Sequence, residues 1–365
     1  MLKKNVKIKI MKKLFMCIFC IFLVGCWDQK LLKDSRLAYS VGYDLYQNKN
    51  LKQTVEIVNS GKRLTNEVYS SIKNTAQDTT DKIRAMTTGD ISYIKYGIQL
   101  YGKELEERGI SPTLDVAFRD PGNPTSFVRV ISVDGLSSEI LEKKKIDELL
   151  IGQFLTRKIK TLEERSYFPV ENLESIFRKI QDKGEDFTLP SIKIKDKEIV
   201  TNGLALFHND KLTGRLPLEQ CVLFTLLKGK VGKKAHITKK INNKEYVSIE
   251  MRKGQIKQKM NVNIGKDGNI YITIKLKLFA TVLEYSRDDL DNYIEKKRLS
   301  KQLSKELTHE SKEIINKLQK TNCDAFGVGR QLIAYHPKIW KKFDYKKAKF
   351  DIKVDINIYR SGVLN

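Results

Sequence analysis

The sequence predicts an α+β chain of more than one domain, with mixed and antiparallel sheets covered by helices. Three observations carry this. Ile270, Ile272, Ile274, Leu276 and Leu278 alternate with Tyr271, Thr273, Lys275 and Lys277, the period of a strand with one face on a core and the other in water. Phe350, Ile352, Val354, Ile356 and Ile358 alternate in the same way with Asp351, Lys353, Asp355 and Asn357, and the pair reads as two antiparallel edges. Between them, residues 288–320 place Leu290, Tyr293, Ile294, Leu303, Leu307, Ile314, Ile315 and Leu318 on one helical stripe. A helix of that length is expected to lie across the sheet, although it could also dock on a membrane partner.

The other elements follow in chain order. Leu37 to Leu45 and Leu51 to Val58 form a strand pair around the turn Gln47-Asn48-Lys49-Asn50. Val68, Ile72, Ala76, Ile83 and Met86 recur at helical spacing, which predicts an amphipathic helix ending near Thr88-Gly89. Ile91 to Tyr101 reads as a buried strand. A short helix, Lys103 to Arg108, stops at Gly109, and Pro112 starts another that reaches Phe118. Pro121-Gly122-Asn123-Pro124 is a turn before the strand Ser126 to Val133. From Ser138 to Lys183 the periodicity is helical with Pro169 interrupting it, and Val170, Leu173, Ile176, Phe177 and Ile180 mark the last buried face.

Gly184 to Pro190 reads as a domain joint. It divides the chain into residues 26–190, mixed α and β with room for two subdomains, and residues 191–365, an α+β domain. Ile192, Ile194 and Ile199 open the second part, Asn209-Asp210 turns a hairpin between Gly203 to Phe207 and Leu212 to Leu216, and Leu218 to Leu227 is a buried helix.

Residues 1–25 have the pattern of a lipoprotein signal. Six lysines and no acidic residue precede an unbroken apolar run, Leu14 to Val24, that closes on Leu23-Val24-Gly25-Cys26. Small Gly25 admits a peptidase to the bond before Cys26, which becomes the lipidated N-terminus. The run would be about 16 Å as a helix, whereas a bilayer span takes about 20 residues. The alternative is an ordinary secretory signal followed by a chance cysteine.

With 41% apolar residues the remainder is a foldable chain, and no later run approaches membrane-spanning length. Losing six lysines takes the formal net charge from +24 to +18. Only 15 of the 68 basic residues are arginine, and the lysines are spread along the chain. Nucleic-acid readers cluster arginine forks with aromatics, so a nucleic-acid partner is not expected and a solvated or bilayer-facing lysine surface is. Cys17 and Cys20 leave with the signal and Cys26 carries lipid, so Cys221 and Cys323 remain, read as buried thiols with a single disulfide left open.

Constellations that carry chemistry are missing from the sequence. There is no His-Glu-x-x-His, no Gly-x-Ser-x-Gly, and no phosphate loop, since Leu227 stands where the first glycine before Gly232-Lys233 would be needed. Gly327-Val328-Gly329 lacks the third glycine of a dinucleotide fingerprint, with Leu332 in its place. His208, His236, His309 and His336 are scattered, and Asp115, Arg119 and Asp120 read as a local ion pair or helix end. No catalytic residue, metal site or cofactor is expected.

Three segments resemble one family. They are Gly25-Cys26-Trp27-Asp28 with Leu31, Leu32 and Val41-Gly42-Tyr43-Asp44; Tyr101-Gly102-Lys103-Glu104-Leu105 with Arg108-Gly109-Ile110 and Phe118-Arg119-Asp120; and Cys323-Asp324-Ala325-Phe326-Gly327-Val328-Gly329 with His336-Pro337-Lys338-Ile339-Trp340 and the closing strand to Ser361-Gly362. The chain resembles the Ger(x)C spore germination lipoproteins, the C subunits of nutrient germinant receptors. Ala325-Phe326 and Val328 depart from it, where bulkier residues are usual. The resemblance implies a multidomain α/β body, lipid-anchored through Cys26 (N-palmitoyl, S-diacylglycerol cysteine) on the outer face of the spore inner membrane. It implies action beside membrane-embedded A-type and B-type subunits, without catalysis. Gly327 and Gly329 are expected to hold backbone geometry that a side chain forbids, and Trp340 to pack beneath the following strand, with partner contact as its other reading. The rival classes are an extracytoplasmic solute-binding lipoprotein and a cell-wall hydrolase.

Overall fold

The computed structural model describes residues 35–361 except 48, 61–63, 120–122, 124, 242–244, 288–289 and 291. In chain order the first part contains β1 (Ser35–Tyr46), β2 (Asn50–Ser60), β3 (Leu64–Lys73), α1 (Ala76–Arg84), β4 (Asp90–Ser92), β5 (Ile98–Gly102), α2 (Lys103–Arg108), α3 (Ser111–Arg119), β6 (Arg129–Val133) and α4 (Ser137–Leu141). It continues with a small hairpin, β7 (Lys145–Ile146) and β8 (Leu149–Leu150), then α5 (Ile151–Glu164), α6 (Leu173–Asp182), β9 (Thr188–Lys195), β10 (Glu198–His208) and β11 (Lys211–Leu216).

Nine of these strands form one sheet, ordered β11-β10-β9-β6-β5-β1-β2-β3, with β4 beside β1. β1, β5, β6 and β9 run parallel through its middle. A parallel centre needs cover on both faces, and all five residues of β5 are buried. Ile98 and Leu100 meet Ile140, Ile151, Leu155 and Ile159 of α4 and α5 on one side. Tyr101 joins Leu105, Leu114, Ile83 and Leu173 on the other.

α7 (Leu218–Leu227) leads to the second sheet. The seven residues Cys221 to Leu227 are all buried, as a helix apolar on every side requires. β12 (Lys234–Lys240), β13 (Tyr246–Arg252), β14 (Ile256–Ile264) and β15 (Ile270–Tyr285) are antiparallel. The 28-residue α8 (Tyr293–Lys320), α9 (Val328–Tyr335) and α10 (Pro337–Trp340) follow, and β16 (Lys349–Ser361) closes the sheet. Leu299, Leu303, Leu307, Ile314 and Leu318 of α8 pack with α7 on the inner face of the sheet. The free edge of β16 is finished by the same helix: the Val354, Ile356 and Ile358 amides donate to Thr308 Oγ1, Ser304 Oγ and Ser300 Oγ at 3.1, 2.9 and 3.3 Å.

Several expectations need correction. Residues 64–73 are a strand and not the start of a helix. Val68 and Ile72 share a face at the strand period as well as the helical one, and ten register pairs with β2 decide it. Ile91 to Tyr101 is two strands, β4 and β5, both parallel to β1 and split by the segment 93–97. The strand expected from Ser126 begins at Arg129, and the helical stretch 138–183 is three helices with a hairpin between the first two. β15 and β16 are parallel, and β15 is internal to the sheet, because the helical crossover between them returns the chain to the end where β15 began. Tyr293 and Ile294, expected on the buried stripe, are each 75% exposed, and Val170 is also exposed.

The division expected at residues 190/191 falls inside β9. The sheet continues through β10 and β11, so residues up to Leu216 are hydrogen-bonded into it. Of the turn 121–124 only Asn123 is described, and Asp120, Gly362 and the whole stretch 1–34 lie outside the described residues.

Candidate functional site

Where the two sheets meet, the chain assembles a polar cluster that no local motif announces. Asp186, just before β9, sits at its centre. Its carboxylate accepts from the amides of Asn209 and Asp324, each at 2.8 Å, and lies 3.1 Å from His208 Nδ1. Nδ1–H therefore donates to Asp186, which leaves Nε2 to accept from the Asn322 amide at 3.0 Å. Asp324 is the second buried carboxyl. It accepts from the Val328 and Gly329 amides at 3.0 and 2.7 Å, in the first turn of α9, where the helix end favours negative charge. Gly327 makes this turn possible with φ of 69°, and Gly329 has no room for a side chain because the Trp340 ring and the Gly184 carbonyl crowd it. Asp186, His208, Asn209, Asn322 and Asp324 line a cleft of about 180 Å3 with Trp340 and Tyr345. Trp340 is half-buried, packed on the second core and against Phe343.

Beneath the cleft lies a buried ion network. Lys179, on the otherwise apolar face of α6, contacts Glu171 and, at 3.0 Å, Glu185. Lys228, at the end of α7, reaches the same Glu185 at 3.2 Å and donates to the Ala325 carbonyl at 2.6 Å. Burial works against the Lys179 charge, but Glu171 and Glu185 outweigh it and hold its pKa above the ordinary lysine value. Lys228 is deeper still, and burial with Lys179 nearby pulls its pKa down. The network joins α6 of the first part to α7 and the segment after α8, so it fixes how the two sheets sit.

Titration of this cluster is set by burial. It pushes Asp324 up to about 7 from an ordinary 3.8, against the two amides that hold it down. The bond to Asp186 raises His208 above 6.5 despite partial burial. Native Asp324 thus keeps a proton that the unfolded chain releases, so stability falls as pH rises between about 4 and 7. His208 acts in the same sense: its contribution is complete below 6.5 and is lost as pH rises through its native value. Asp324→Asn should lessen the fall in Tm from about pH 5 to 7, leaving the parts due to His208 and to the other buried carboxyl, Glu106. Calorimetry across this range checks it, and a wild-type Tm that does not fall there would overturn the assignment.

A second set of buried groups explains two of the sequence segments singled out above. Asp44, at the end of β1, accepts from the Ser137 and Ser138 amides at 2.7 and 2.9 Å and so caps α4. Gly102 lies against that carboxylate, where a methyl group would collide with it, and Gly42 lies against Ser137. Nearby, Glu106 is fully buried: burial raises its pKa well above the carboxylate range while Ser132 Oγ, at 2.8 Å, and Arg215 oppose the shift.

The structure places the remaining residues plainly. Gly25 and Cys26 lie outside the described residues. Asp115 pairs with Arg119 at 2.6 Å. Cys221 and Cys323 are buried free thiols, each pushed up by burial. Among the described residues no group of three His, Cys, Asp or Glu could hold a metal, and no helix is long and apolar enough to cross a membrane. The sequence did not reveal Asp186, His208 or the Lys179–Lys228 network. Lys179 in the apolar series Leu173, Ile176, Lys179 was the available signal, since a lysine at a core position needs a partner.

Comparison with known proteins agrees with the whole architecture. A family model described as "Spore germination protein N-terminal domain" matches residues 28–194, and one described as "Spore germination B3/ GerAC like, C-terminal" matches 202–362. The two meet at the β9–β10 hairpin. The chain is 24% identical to "Spore germination protein GerQC" of Bacillus cereus, over 95% of this chain and 97% of that one. It is 20% identical to "Putative spore germination protein YfkR" of Bacillus subtilis (strain 168), over 97% and 98%. The crystal structure of the GerBC protein superposes with a TM-score of 0.57 at 15% identity, covering 91% of this chain and all of that one, and so shares the fold. With both halves matched in order, the chain belongs to the Ger(x)C family, the C subunits of spore germinant receptors.

Proposed function

We propose that this protein is a lipid-anchored, non-catalytic subunit that acts by contact with the other receptor subunits, the membrane-embedded A-type and B-type chains, on the outer face of the spore inner membrane. One observation carries the reading: the family match starts at residue 28, directly behind the Leu23-Val24-Gly25-Cys26 junction. Cleavage before Cys26 and diacylation there would supply a two-chain anchor, whereas one acyl chain holds only weakly. The body attached to it is two cored sheets whose buried charges at the junction are bonded to each other, as suits a rigid contact subunit.

The test is Cys26→Ala in spores. Intact mass should show the lipid lost, detergent partitioning should move the protein to the aqueous phase, and nutrient germination should slow. Normal germination with a wholly unlipidated protein would refute the anchor. Calorimetry of the isolated body with amino acids and sugars should show no tight binding, and tight binding would favour the solute-binding reading.

A further inference from the structure

The outer face of the second sheet carries charge that the fold does not use. Lys257 stands directly opposite Lys277, Lys259 opposite Lys275, and Lys275 in turn opposite Lys353. With strands about 4.8 Å apart and same-face residues about 6.8 Å apart along each, five lysines leave a patch of about 10 by 7 Å, within one Debye length. Like charges directly opposite destabilise a ladder. Asp355 stands opposite Lys277 in the ladder but turns to Lys353, at 3.6 Å, and among the described residues no carboxylate comes within ion-pair distance of Lys257, Lys259, Lys275 or Lys277. Glu250, on the same face, is bound by Lys234 and His236. The helices α7 and α8 pack on the opposite face, so no described element covers this one.

The shape of the patch selects its ligand. It is an open sheet face on which all five lysines are exposed, and its charges are ammonium groups, which attract as points and do not clamp one phosphate as an arginine fork does. A flat array of solvated cations matches a flat array of anions. On the same face of β15, Phe279 lies under the Lys257 ammonium at 5.6 Å, and Leu283 is 52% exposed. An aromatic ring among the lysines, with an exposed leucine about 20 Å beyond Lys277 along the same strand, suits a membrane–water interface.

We propose that this sheet face docks on an anionic bilayer, with the five lysines among the headgroups and Phe279 and Leu283 at the interface. It would be a second hold beside the anchor, and only the identity of the bilayer rests on the reading above. An unmodified Cys26 would remove the anchor and leave this docking intact. A body that ignores vesicles would do the reverse.

The test uses residues 27–365, because all three cores lie within residues 37–358. Sedimentation with phosphatidylcholine vesicles, with and without one third phosphatidylglycerol, should show binding only to the anionic set and a steep loss with salt. Replacing Lys257, Lys259, Lys275 and Lys277 by glutamine should weaken binding about a hundredfold or more. Its Tm should hold or rise, since opposed charges are relieved. The same four charges removed from the exposed side of α8 (Lys297, Lys301, Lys305, Lys312) should change binding little. Equal loss in both variants would reduce the effect to net charge and overturn the proposal, as would wild-type protein that does not distinguish the two vesicles.

Discussion

Lys179→Met is expected to destabilise the protein by about 3–5 kcal/mol, the cost of leaving the buried Glu171 carboxylate without its cation. Glu171 and Glu185 are both largely shielded from water, and Lys179 touches both. Lys228 still holds Glu185 at 3.2 Å, but it lies 3.9 Å from Glu171 and also carries the Ala325 carbonyl, so Glu171 is the charge left without a close partner. At about 1.5 °C per kcal/mol for a body of this size, Tm should drop by roughly 4–7 °C. The loss should be local before it is global: limited proteolysis should find a new cut near residues 183–187, where the sheets join. Lys179→Met combined with Glu171→Gln should recover part of the loss, since one orphaned charge is then neutral. A single-variant loss under about 1 kcal/mol would mean that water already enters the network.

Asp44→Ala should cost about 2–4 kcal/mol, because it strips the cap from α4 and leaves two buried amides, Ser137 and Ser138, without acceptors. Asp44→Asn keeps one acceptor oxygen and should cost about half as much. Amide hydrogen exchange reads this directly, with faster exchange at Ser137 and Ser138 and little change in α8. If exchange there is unaltered by Asp44→Ala, the capping role is refuted.

Much of this fold was legible because its strongest signals are local. The alternation of β15 and β16, the stripe of α8, the all-apolar α7 and the Asn209-Asp210 hairpin each report burial of one face within a few residues. The failures have physical causes too. Val68 and Ile72 fit two periods at once, and only β2, a neighbour in space, chooses between them. Strand direction in β16 depends on where the preceding helix delivers the chain, which no alternation records. The joint was hidden because Asp186 bonds to Asp324 at a separation of 138 residues, and Asp44 caps Ser137 from 93 residues away. Gly42, Asp44 and Gly102 stood in segments singled out by resemblance, and their reason, a carboxylate wedged between a helix end and a bare backbone, is visible only in three dimensions.

The hydroxyls of Ser300, Ser304 and Thr308 have a bearing on crowding. Spaced one helical turn apart, they occupy the amides on the outer margin of the last strand, which would otherwise be an invitation for another molecule to add its own strand and begin a polymer. On the lipid-anchored reading proposed above, copies confined to a surface would meet far more often than in bulk. A sheet that ends in side-chain oxygens lets neighbours collide repeatedly and part again.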